Sequence, residues 1–150
     1  MELVTCSAII NYFRKLEGET AKLYETLAEK FPEHRNIFLS LAKESKSNIV
    51  AVERAYYSVI SDKLEACFIK TLSTDDYSIE THMPVDIEYP EALKRIITME
   101  ENIQKFILDV IKSIGVLVPD VSWTLNRIGK KRADRINKLK ILLEKATERG

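Results

Sequence analysis

FLSLAKESKSN, residues Phe38–Asn48, contains both the signal for a helix and the irregularity that sets this chain apart. Phe38, Leu41, Ser45, Asn48, Val52, Ala55 and Val59 follow one another at steps of three and four, which places them on one face of a helix. Two members of that face, Ser45 and Asn48, are polar. Polar groups drawn into a core need hydrogen-bond partners, so the stretch calls for complementary polar side chains at the same level on neighbouring elements.

Three further stretches have the same cadence. Upstream, Ile10, Phe13, Leu16, Thr20, Tyr24, Leu27 and Phe31 mark an amphipathic helix over residues 7–31, with Glu17 either turned inward beside Leu16 or bent to water at the rim. Pro32 separates it from a second helix over 33–61, and so short a connection makes the two antiparallel neighbours. Of Tyr56 and Tyr57 near the end of that helix, only one can face inward. Residues 62–89 break the pattern: DKLEACFIKTL is compatible with a short helix, and STDDYSIETHMPVDIEY has the composition of a surface connection long enough to cross the molecule. Pro90 opens a third helix over 90–114 whose stripe of Leu93, Ile97, Glu100, Ile103 or Gln104, Ile107, Val110 or Ile111 and Ile114 again contains one carboxylate. Gly115 and Pro119 are expected to close it. Asp120 or Ser122 would cap a fourth helix over 120–148 whose stripe runs through Trp123, Leu125, Ile128, Arg132, Arg135, Leu139, Leu142 and Ala146, with Trp123 at its head either covering the end of the bundle or lying in a dimer interface. These spans amount to one all-α domain over 1–150: an antiparallel four-helix bundle with a long crossover between helices 2 and 3.

Composition limits the partners. Lys plus Arg equals Asp plus Glu at 23 each, so no net field draws the whole chain to nucleic acid or to a membrane. The charge is nonetheless split, +6 over residues 126–150 and −6 over the remainder, which suits pairing between helices or between copies. Cys6 and Cys67 stand far apart with no CxxC spacing and are expected to be reduced; a Cys6–Cys67 bridge is the lesser reading. MELVTCSAII offers neither a basic leader nor a membrane-length apolar run, so a cytoplasmic location is expected.

LEGETAKLY (16–24) and MEENIQKFI (99–107) look like one module used twice, each followed by a helix of related form, FLSLAKESKSN and LNRIGKKRADR (125–135). The pairing of two helix hairpins resembles the rubrerythrin-like branch of the ferritin-like superfamily across nearly the whole chain. FxxLAxE is its most specific matched feature. In that family each first helix brings a Glu and each second helix a Glu-x-x-His, and the six ligands hold two iron or manganese ions. The resemblance therefore assigns the ligand positions to Glu17, Ser45, Asn48, Glu100, Arg132 and Arg135, only two of which have kept a ligand. Serine and asparagine are poor ligands for iron, and a guanidinium stays protonated and coordinates nothing. The expectation is a vestigial site with no metal and no other cofactor, in which Glu and Arg form an interior polar layer.

Function follows as an expectation from the same departure. The leading reading is a non-catalytic interaction or regulatory module, a homodimer as relatives of this resemblance often are, with an unidentified protein partner. An iron or manganese oxidoreductase with an altered site is the alternative, drawing on Glu17, Glu100 and, in a shifted register, Glu19, Glu44 or Glu101. Nucleic-acid binding by GKKRADRINKLK (129–140) is a third reading, disfavoured because the run lacks interleaved aromatics and alternates with core positions. His34 and His82 lie off the ligand stripes and read as surface residues. No nucleophile triad, phosphate loop or HExxH motif is present.

Overall fold

The structure, a computed structural model, describes residues 1–59, 71–114 and 118–148. Most of these residues are helical. Helix α1 spans Cys6–Lys30, α2 Arg35–Val59, α3 Tyr89–Ile114 and α4 Pro119–Glu148. Two short strands, β1 (Glu2–Leu3) and β2 (Leu72–Ser73), pair antiparallel at one end. Thr5 caps α1 through its side chain, which accepts from the Ala8 N–H, and thereby satisfies one of the free donors of the first turn. A 3-10 turn, Pro32–His34, joins α1 to α2.

Contacts between side chains give the directions of the helices. Arg14 of α1 reaches Glu53 of α2 while Glu25 reaches Lys46, so α1 and α2 are antiparallel. Tyr12 packs on Phe106 and Phe31 on Tyr89, which makes α1 antiparallel to α3 as well. Phe38, near the start of α2, meets Tyr89, the first residue of α3, and both helices therefore leave the same end. Gln104 and Lys140 extend the series: Gln104 bonds the Gly129 carbonyl and Lys140 approaches Glu101, as an antiparallel α3–α4 pair requires. The chain must therefore return along the length of the helices between α2 and α3. Residues 71–88 accomplish the described part of that return: Tyr12 bonds the Thr74 carbonyl, Asn102 the Ser78 carbonyl and Lys30 the Val85 carbonyl.

The apolar stripes read from sequence lie inward, with informative exceptions. Tyr56 is buried and Tyr57 is exposed. The buried face of α3 is wider than its predicted stripe and also takes in Ala92, Ile96, Met99 and Phe106, because the returning segment lies on a second side of the helix, with Tyr77 edge-on to Phe106. Trp123, left open from sequence, is 63% exposed under the guanidinium of Arg127, 4.9 Å from its ring centre, and Val121, Thr124 and Leu125 turn inward around it. Pro119 does not end α3 but opens α4, where its missing N–H costs nothing. The expectations for a helix at 62–72, for Cys67 and for Gly115 fall wholly or largely outside the described residues. No helix among the described residues is long and apolar enough to cross a membrane.

Candidate functional site: a buried layer of carboxylates and guanidinia

Halfway along the helices the apolar core gives way to a polar layer to which all four helices contribute. α1 brings Glu17 and Tyr24, α2 brings Ser45 and Asn48, α3 brings Glu100, and α4 brings Arg132 and Arg135; every one of these side chains is buried. Arg132 is the largest of the fully buried side chains. Each sits on the inward stripe because helical spacing puts it there: Glu17 and Tyr24 are two turns apart, and Ser45 and Asn48, like Arg132 and Arg135, are one turn apart.

Arg132 bridges two helices. Its Nη2 donates to Glu17 Oε1 and its Nε to Glu100 Oε2 at 2.6 Å. Arg135 adds a second cation: Nη1 donates to Glu100 Oε1 at 2.9 Å and to Ser45 Oγ at 3.2 Å, and Nη2 donates to Glu44 Oε1 at 2.9 Å near the surface. Both interior carboxylates also accept from neutral donors. Asn48 Nδ2 donates to Glu17 Oε2 at 2.7 Å, and the Tyr24 hydroxyl donates to Glu100 Oε1 at 2.5 Å. Two fully buried carboxylates thus face two buried guanidinia, with Glu44 closing the layer at the rim.

Electrostatics keeps Glu100, Arg132, Arg135 and Tyr24 in their charged or donating forms. Burial by itself would raise the Glu100 pKa, but Arg132, Arg135 and the Tyr24 hydroxyl outweigh it and hold the carboxyl at about 2. For both arginines burial works to lower the pKa, and the adjacent carboxylates more than compensate, so both stay protonated. Burial and the negative charge of Glu100 push the Tyr24 hydroxyl well above its ordinary value, which maintains it as a donor. Two donors, Arg132 Nη1 and Arg135 Nε, are buried with no partner in the protein.

All six positions singled out from sequence come together, and Glu17 takes the inward of its two placements. The sequence reading missed the part played by Tyr24. A tyrosine on a fully buried stripe two turns from Glu17 was the available signal, since a buried phenol needs a partner. Glu44, weighed from sequence as a shifted metal ligand, is instead a partner of Arg135, whereas Glu101 is exposed beside Lys140. Glu19 is half-buried and His82 is exposed. His34 is not a bare surface residue: it stacks flat on Tyr89 with ring centres 3.8 Å apart.

The donor set fits an ion-pair network rather than a dinuclear metal centre. Glu17 and Glu100 have their oxygens committed to cationic and neutral donors, and the second-helix positions supply a hydroxyl, an amide and two permanent cations. Among the described residues no three His, Cys, Asp or Glu side chains are grouped so as to hold a metal ion. No protein-family model, no curated protein and no solved structure matches the chain.

Proposed function

We propose that the chain is a non-catalytic ferritin-like protein of the rubrerythrin-like branch, an antiparallel four-helix bundle whose dinuclear centre has been replaced by the Glu17–Arg132–Glu100–Arg135 layer. It would serve as a cytoplasmic interaction or regulatory module and act as a homodimer. The order of helix directions supports the fold reading, because α2 and α3 leave the same end and the intervening chain travels the length of the molecule, as a ferritin-like crossover does. One observation carries the functional reading: Arg132 lies between the carboxylates that the resemblance makes ligands and donates to both. A guanidinium there neutralises the charge that two metal cations would otherwise have neutralised.

The test is elemental mass spectrometry on untagged protein expressed with iron and manganese supplied. The expected result is metal far below stoichiometric. Stoichiometric iron or manganese would overturn the proposal and favour the oxidoreductase alternative. A second arm restores the family's ligands: the combined Ser45→Glu, Asn48→His, Arg132→Glu, Arg135→His variant is expected to gain iron or manganese that the parent chain lacks. If the restored variant folds, as judged by circular dichroism, and still takes up no metal, these are not vestigial ligand positions.

A further inference from the structure

The outer edge of the polar layer opens into a groove of about 600 Å³ between α2 and α4, within the range of small-molecule sites. Arg135 forms its floor, 3% exposed overall. Lys131 and Lys138 lie one turn to either side on the same helix, and Ile37, Leu41 and Leu142 supply an apolar wall. Glu44 and Asp134 also line the groove, leaving the three basic groups in excess by one.

The hydrogen bonding of Arg135 shows what the groove is built to take. Nε and Nη2 share one edge of the planar guanidinium, the edge that grips a carboxylate with two parallel bonds. Here Nη2 bonds Glu44 Oε1, whereas Nε is buried without a partner. The edge is half filled, by a single oxygen of a side chain that is 37% exposed. An incoming carboxylate that displaced Glu44 would bond both nitrogens and satisfy the orphaned donor, with Lys131 and Lys138 compensating its charge and its alkyl chain lying on Ile37, Leu41 and Leu142.

We propose that the α2–α4 groove binds a short-chain alkyl carboxylate, with Arg135 as anchor and Glu44 as the internal carboxylate it displaces. This deepens the regulatory role proposed above and rests on it for biological meaning, while the binding itself depends only on Arg135 and the groove.

Hexanoate, acetate and hexan-1-ol are the probes, titrated into the full chain and followed by calorimetry and by backbone amide shifts, with metal content measured on the same batch. Hexanoate is expected to bind with shifts concentrated in residues 36–44 and 131–142, acetate at least about tenfold more weakly, and hexan-1-ol not at all. Glu44→Gln, which keeps a hydrogen-bonding group but removes the competing charge, is expected to tighten hexanoate binding about fivefold. Ile37→Ser, at an exposed position, is expected to weaken hexanoate while leaving acetate unchanged. Absence of hexanoate binding up to about 10 mM, binding of hexan-1-ol as tight as that of hexanoate, or unchanged affinity in a folded Glu44→Gln variant would overturn the proposal. Hexanoate binding in a batch that also holds stoichiometric metal would remove the proposed function and leave the groove assignment standing.

Discussion

At the scale of the residue, the interior charges are valuable only as a set. Taking Arg132 and Glu100 out of water costs about what their attraction returns, but removing one partner leaves the other buried and uncompensated. Arg132→Ala is therefore expected to lower stability by about 3–5 kcal/mol in urea denaturation, against less than about 0.5 kcal/mol for an exposed residue of the same helix such as Lys130→Ala. Tyr24→Phe deletes one donor to an ionised acceptor and is expected to cost about 2 kcal/mol. The depressed pKa of Glu100 predicts a pH dependence. Its folded value of about 2 lies below its ordinary 4.5, so the ionised group contributes stability that is fully present above the ordinary range. That contribution is lost as pH falls from about 5 toward 2, by on the order of 3 kcal/mol. Denaturation midpoints across that window are expected to fall steeply for the parent chain and less steeply for Glu100→Gln.

At the scale of the element, the helices carry avoidable costs that mutation can expose. Gly18 lies inside α1 and Gly129 inside α4, where glycine is less favourable than alanine by up to about 1 kcal/mol. A Cβ at Gly18 would meet nothing within 4 Å, and one at Gly129 would rest on Ile107 Cγ2 at 3.5 Å and Gln104 Oε1 at 3.7 Å, ordinary contact distances. Gly18→Ala and Gly129→Ala are each expected to raise the thermal midpoint, by about 0.5–1 kcal/mol of stability apiece. Thr5→Ala should do the opposite, costing about 1 kcal/mol through the lost cap, and the two kinds of change can be compared in one set of melting curves.

At the scale of the whole molecule, four helices are pinned at one level by the polar layer while the return segment is held by scattered side-chain bonds such as those of Asn102 and Lys30. Native-state hydrogen exchange is therefore expected to find the slowest amides in the middle of α3, around Glu100–Val110, and fast ones in residues 78–86; equal protection in the two segments would contradict this division. The alternation of three- and four-residue steps made the helices legible from sequence, because burial of one face repeats with the helical turn and needs no knowledge of the partner. It also put Ser45, Asn48, Glu100, Arg132 and Arg135 on inward faces, and left Glu17 open between the interior, where it lies, and the rim. The same rule could not place Trp123, since a stripe read on one helix cannot say where the neighbouring helix ends, and it underestimated the buried width of α3, which depends on a segment far away in sequence lying across it. The sequence by itself thus determined the main inward stripe of each helix, through local periodicity. Only the tertiary structure decided which of them meet: that Arg132 spans Glu17 and Glu100, that Tyr24 serves Glu100, and that Arg135 faces a groove with half its fork unfilled. Those pairings depend on the relative height and rotation of helices, set by packing between residues up to 115 positions apart in the chain.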